Sequence, residues 1–120
     1  MKAWGFKYKT VALTWLKTDS KGDPSFGMGF YTRQSMEFCL LGVRGKPLER
    51  MSKSVRQTII APVRKHSQKP DEQYERIEQL YGSSLDNLEM FARTPRPDWT
   101  QLGNSIGEEI DIKESIQKYV

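Results

Sequence analysis

Apolar and polar positions alternate from Phe6 to Thr10 and then give way to an almost continuous apolar run through Val11-Ala-Leu-Thr-Trp-Leu16. With its β-branched and aromatic density, this pattern predicts a strand over about residues 7 to 16. Met36 to Val43 is apolar with little alternation and predicts a second strand, fully buried. Between the two, Asp19-Ser-Lys-Gly-Asp-Pro24 and Phe26-Gly-Met-Gly29 cluster the residues that forbid a regular element. A loop this long inside a small domain is more often functional than decorative. Gly42 and Gly45-Lys-Pro47 open another polar connection, and Thr58-Ile-Ile-Ala-Pro62 predicts a short third strand ending at its proline.

The period then changes. Tyr74, Ile77 and Leu80 with Tyr81 recur at helical spacing and predict a buried stripe on a helix from about residue 70 to 81. Pro70 suits its first turn, Asp71 and Glu72 complement the positive end of its dipole, Ser67 or a neighbour can cap it, and Gly82 is a natural stop. A fourth strand is expected over about Leu85 to Phe91. Pro95, Pro97 and Gly103 mark the following segment as loop. From Ile106 to Val120 a weak helical stripe (Ile106, Ile110, Ile116, Val120) competes with strand-like alternation at 109 to 112, and both readings stay open. The expected organisation is one domain over residues 1–105 followed by a C-terminal tail, 106–120.

At 120 residues the chain has room for one small domain but is short for a complete nucleotide-cofactor enzyme. The single cysteine, Cys39, permits no internal disulfide and is expected as a buried strand residue. Neither a signal-peptide pattern nor an apolar run of bilayer-spanning length is present, so a cytoplasmic setting without membrane contact is expected. The net charge of +4 is unevenly spread. Residues 44 to 69 carry Arg44, Lys46, Arg50, Lys53, Arg56, Arg64, Lys65 and Lys69 against Glu49 alone, whereas the acids collect from Asp71 onward. A cationic stretch of this kind suits a polyanion, through phosphate contacts; a merely solvated, solubilising loop is the alternative. His66 has no Cys or acidic partner at ligand spacing and reads as a surface histidine, so no metal site is expected.

Several ordered segments carry a family likeness: Trp15-Leu-Lys-Thr18, Glu37-Phe-Cys-Leu-Leu-Gly-Val-Arg-Gly45, Ser67-Gln-Lys-Pro-Asp-Glu72, Leu88-Glu-Met-Phe-Ala-Arg93 and Leu102-Gly-Asn104. Together they resemble the N(6)-adenine methyltransferases of the MT-A70-like family, over about residues 4 to 104. The resemblance implies an α/β chain, a partial Rossmann-like methyltransferase fold with a mixed sheet and one strong helix. It implies S-adenosylmethionine as cofactor and N(6) of adenine as acceptor. By residue, it places Lys69 near the methionine carboxylate, Glu89 and Arg93 beside the nucleoside, and Asn104 facing the cofactor. Ser105 stands where relatives carry Gln or Glu, so only its backbone role carries over. Glu37 corresponds to a residue near the acceptor adenine.

Read without the family, Lys69 is an exposed helix-start lysine, Glu37 a solvated strand-end carboxylate, and Glu89 with Arg93 a surface ion pair. The loop Gly27-Met-Gly-Phe-Tyr-Thr-Arg33 combines aromatics, glycine and a cation suited to gripping a displaced base, although Phe30 and Tyr31 are equally suited to anchoring a core. Arg33, Arg44, Lys46, Arg50 and Lys53 are the nucleic-acid candidates. The family's Asp-Pro-Pro-Trp, whose Asp and first proline carbonyl accept the amine hydrogens, does not occur in these residues. Asp23-Pro-Ser-Phe26 imitates it but carries Ser25 in place of a proline and lies too late in the order of segments. No catalytic residue is therefore assigned, and the isolated chain is expected to be inactive. The short connection from Arg93 to Trp99 leans towards DNA over RNA. Expected partners are a nucleic acid and a chain supplying the missing motif; the alternative is a non-catalytic nucleic-acid-binding partner of a complete methyltransferase.

Overall fold

The computed structural model describes residues 1–65 and 68–103 and divides the chain into two compact units, Met1–Tyr81 and Gly82–Val120. In the first, a 3-10 turn over Lys2–Trp4 leads into β1 (Lys7–Thr18), followed by β2 (Met36–Val43), β3 (Thr58–Pro62) and helix α1 (Asp71–Tyr81). The sheet order is β2-β1-β3, with β1 antiparallel to β2 and parallel to β3. Register shifts at Tyr8/Thr10 and Val11/Leu13 bend the start of β1, after which the register Leu13↔Cys39, Trp15↔Glu37 is regular. The second unit pairs β4 (Asn87–Met90) in parallel with β5 (Trp99–Leu102). A mixed sheet and a single helix are the content of a partial Rossmann-like methyltransferase fold, as the sequence implied.

Alternation along the strands decides which side chains meet. Leu13 and Trp15 on β1 and Ile59 and Ala61 on β3 share one face and form the core, with Ala12, Cys39 and Ile77 packed against it. The Trp15 indole N–H donates to the Ala61 carbonyl at 2.8 Å, tying the two parallel strands together from within that core. Gln57 adds a second tie, its side-chain amide donating to Val11 O at 2.8 Å.

Four expectations are corrected. β2 is not buried on both sides: Phe38 and Leu40 are 59% and 53% exposed, and Ile60 of β3 is 67% exposed on the same face. Within the first unit α1 lies on one face of the sheet only, through Ile77, which leaves the other face open. Cys39, on the face that α1 covers, is half-buried rather than enclosed, and the helix stripe from Tyr74 to Tyr81 is half-buried as well. Finally, the segment read as loop after β4 contains β5. Pro95 and Pro97 precede it, Asp98 turns the chain at φ 65°, and Trp99-Thr-Gln-Leu102 itself holds no proline to interrupt pairing. Ser67, His66 and the tail from residue 106 lie outside the described residues.

Candidate functional site

The parallel strands β1 and β3 end side by side at Thr18 and Pro62, and the chain beyond them walls a cleft of about 700 Å³. Open α/β sheets bind their ligands at such carboxyl ends, where loops rather than strands set the chemistry. Lys17, Ser20, Ser25 and Gln34 provide polar lining, and Phe26, Met28, Met36 and Val63 an apolar wall. Thr18 is buried, and its carbonyl accepts from Val63 N at 3.1 Å, which fixes the floor.

Beside this cleft lies a cluster of three charged side chains. Lys17 follows Trp15 on the same face of β1, and Glu37 stands opposite Trp15 on β2, so the two meet diagonally across the hairpin. Lys17 Nζ reaches Glu37 Oε2 at 3.0 Å, while Lys69, just ahead of α1, donates to Glu37 Oε1. The three side chains are about one-third exposed, 32%, 34% and 36% for Lys17, Glu37 and Lys69. Partial burial pushes the Glu37 carboxyl upward, but hydrogen bonds from Lys69 and Lys17, with their charges, outweigh it and hold the group below the usual carboxylate range. The Lys17 ammonium also lies 5.3 Å from the Trp15 ring centroid, so its position is set from two sides. Burial raises the Cys39 thiol, partly countered by Lys69 and reinforced by Glu37, which makes Cys39 a poor nucleophile.

The loop from residue 19 to 35 is a folded projection. Asp19 Oδ1 accepts from Lys21 N at 2.8 Å and Asp23 N at 3.1 Å, Pro24 bridges back to Thr18, and Ser25 N donates to Lys17 O at 2.8 Å. Asp23-Pro-Ser-Phe26 is therefore the return limb of a turn. At the tip, Gly27 N donates to Gln34 O at 2.8 Å, and a Cβ on Gly29 would collide with the Thr32 carbonyl. Met28, Phe30 and Tyr31 are 90% or more exposed, which overturns core anchoring by Phe30 and Tyr31. Arg33 lies over the Phe26 ring at 5.3 Å, presenting a cation on an aromatic plate.

The basic candidates differ in their attachment. Arg44 folds back onto Phe6 at 5.2 Å and donates to Trp4 O at 3.4 Å. Lys46, Arg50 and Lys53 are exposed on an irregular segment and form no ion pair with another described residue. Met51 N, bonded to Leu80 O at 2.7 Å, ties that segment to the end of α1.

In the second unit, Asn87 and Glu89 share one face of β4 opposite Trp99 and Gln101. Gln101 Nε2 donates to Glu89 Oε2 at 2.8 Å and to Thr94 O at 2.9 Å, while its oxygen accepts from Arg96 N at 2.7 Å. One amide thus orients Glu89 and staples the following loop. Phe91, at φ 63°, redirects the chain so that Ala92 backs onto Gly103, where a Cβ would meet Ala92 N at 2.8 Å. Arg93 is exposed and makes no ion pair with Glu89, so the surface-pair reading fails. Among the described residues, the buried amide nitrogen of Asn87 has no partner.

The structure thus joins Glu37 to Lys69 within the first unit and carries Glu89 and Arg93 on the second; Asn104 and Ser105 lie outside the described residues. Lys17 and Gln101 were missed from sequence. Lys17 becomes visible only through the β1–β2 register, and Gln101 only once β5 is recognised as a strand.

A family model described as MT-A70 matches residues 1–105. Among curated proteins, the chain is 35% identical over 106 residues to the Type II methyltransferase M.MunI of a Mycoplasma species, covering 88% of this chain and 42% of that protein. It is 31% identical over 110 residues to the human N(6)-adenosine-methyltransferase catalytic subunit METTL3, covering 88% of this chain and 19% of that protein. It is 30% identical over 122 residues to an N(6)-adenosine-methyltransferase MT-A70-like protein of Arabidopsis thaliana, covering 98% and 17%. The chain therefore spans less than half the length of each of these relatives.

Proposed function

Because the chain belongs to the MT-A70 family of N(6)-adenine methyltransferases, we propose that its 120 residues form the cofactor- and acceptor-facing part of an S-adenosylmethionine-dependent enzyme acting on nucleic acid. The observation that carries this reading is the Lys17–Glu37–Lys69 cluster beside a cleft at the carboxyl ends of β1 and β3. Lys69 already holds one carboxylate, so its chemistry fits the carboxylate of the methionine moiety. On β4, Glu89 carries acceptor oxygens suited to ribose hydroxyls, and the Asn87 amide, which has no partner among the described residues, is a buried donor suited to a ligand. Taken one at a time, the chemistry of each group fits a part of S-adenosylmethionine, which when bound supplies the sulfonium methyl.

The chain's own residues bind and orient. The family resemblance assigns Lys69 to the amino-acid end, Glu89 and Arg93 to the nucleoside end, and Asn104 and Ser105 to the cofactor as well. Glu37 faces the acceptor adenine, and the exposed aromatic tip with Arg33 takes up its surroundings. Lys46, Arg50 and Lys53, with Arg44, run along the phosphates. DNA is the favoured polymer, on the brevity of the Arg93–Trp99 connection. These 120 residues hold no Asp-Pro-Pro-Trp to accept the amine hydrogens, so by themselves they bind without turning over, and that step is supplied from outside them.

Calorimetry on the 120-residue chain tests this: S-adenosylmethionine should give a binding isotherm that Lys69→Ala abolishes. Methyl transfer to adenine-containing DNA by the chain alone should stay at background, and sustained turnover refutes the reading. A second reading, a non-catalytic nucleic-acid-binding partner of a complete methyltransferase, is favoured by the exposed cations Lys46, Arg50 and Lys53, which form no ion pair with another described residue. It requires salt-sensitive DNA binding with no heat from S-adenosylmethionine.

A further inference from the structure

The cofactor reading leaves a conflict at Lys69. Its ammonium is committed to Glu37, a side chain only one-third exposed, and a carboxylate half out of water is costly to strip of its partner. The structure supplies a second cation on the other oxygen, since Lys17 Nζ sits 3.0 Å from Glu37 Oε2 and is braced by the Trp15 ring. We infer that Lys17 is a positioning residue: it keeps Glu37 paired while Lys69 is handed over to the carboxylate of the incoming cofactor. This inference rests on the cofactor reading for Lys69.

The charges explain why two lysines are needed. Lys17, Glu37 and Lys69 together carry one net positive charge, so an arriving carboxylate meets an attractive site and leaves behind a neutral Lys17–Glu37 pair. Without Lys17 the cluster is neutral, and the same carboxylate must compete with Glu37 for the only cation present. Besides the two lysines, the titratable group facing Glu37 among the described residues is the Cys39 thiol on the same strand face; Gln73 of α1 lines the adjoining crevice and is uncharged. Although Lys17 also borders the cleft, its ammonium is turned to Glu37, and in this scheme it makes no bond to the cofactor. It acts through Glu37.

The test is calorimetric titration of the full 120-residue chain with S-adenosylhomocysteine near neutral pH. Lys17→Met should weaken binding about fivefold or more. Adding Glu37→Gln to Lys17→Met should bring affinity back to about the unmodified value, because no internal carboxylate then competes. Lys17→Arg should hold affinity, and Lys9→Met, which removes an equal charge elsewhere on β1, should change nothing. Methylthioadenosine, which lacks the carboxylate, should be indifferent to Lys17→Met. If Lys69→Met abolishes binding while Lys17→Met leaves it intact, the hand-over is wrong and the cofactor site stands. If Lys17→Met weakens binding and Glu37→Gln fails to restore it, Lys17 is merely structural and the inference is overturned. If the unmodified chain does not bind S-adenosylhomocysteine, or Lys69→Met leaves binding unchanged, the cofactor reading falls and takes the hand-over with it.

Discussion

Trp15→Phe isolates the tie that sets the cleft. Trp15 is 4% exposed, its indole N–H donates to Ala61 O at 2.8 Å, and that bond crosses from β1 to β3 inside the core. Phenylalanine fills the site only in part and has no donor. Removing the donor from a buried carbonyl costs about 1–3 kcal/mol, and the atoms removed from a packed site add about 1–2 kcal/mol of cavity and transfer energy. The sum, about 2–5 kcal/mol, is a large share of what a small domain has in total. Trp4 provides the matched control. It is 48% exposed on the N-terminal turn and bonds through its backbone, the N–H to Met1 O and the carbonyl to Arg44. Trp4→Phe should therefore stay within about 0.5 kcal/mol. Urea titration followed by far-UV circular dichroism measures both without relying on tryptophan emission. With a slope of ~1–3 kcal/mol per molar urea, the Trp15 midpoint should drop by about 1 M or more and the Trp4 midpoint should hardly move. Equal midpoints for the two variants would show that the indole does not join β1 to β3 as described.

Two further outcomes follow from the charge distribution. The Glu37 carboxyl titrates below its ordinary range in the folded chain, so its contribution to stability is complete above about pH 4.3, the unfolded value, and is lost as pH falls through the folded value. The stability difference between the unmodified chain and Glu37→Gln should accordingly shrink on acidification, measured by urea midpoints along a pH series; a pH-independent difference refutes it. Arg50→Ala with Lys53→Ala should weaken DNA binding and reduce the slope of log affinity against log salt by about 2, roughly 0.9 for each phosphate no longer neutralised. A slope left unchanged removes this segment from the phosphate path.

How much was legible in the sequence follows the range of the interactions involved. β1, β2, β3 and α1 were readable because each is announced by its own residues: a β-branched and aromatic run, an apolar run, a stretch ending in proline, and a helical stripe between Pro70 and Gly82. β5 was hidden by its neighbours, since Pro95, Pro97 and Gly103 describe the turns around Trp99–Leu102 and not the strand between them. The open face carrying Phe38, Leu40 and Ile60 was not readable either. Apolar residues on both sides of a strand fit cover on both faces, and only the placement of α1 shows that one face lacks it in this unit.

The site shows the same division more sharply. Glu37 and Lys69 are visible one at a time through the family pattern, but their pairing spans 32 positions and needs α1 to lie on the Trp15 face of the sheet. Lys17 needs the register as well. A shift of one residue between β1 and β2 would send Glu37 to the opposite face, next to Phe38's present surroundings, and leave both lysines without their carboxylate. The hairpin loop from 19 to 35 is too long to set that register by turn geometry, so it must come from packing: Leu13 and Trp15 buried on one side, with Cys39 drawn in against them. The charge cluster is thus a consequence of the hydrophobic one. The side chains that bury the sheet face also fix where Glu37 stands between its two cations.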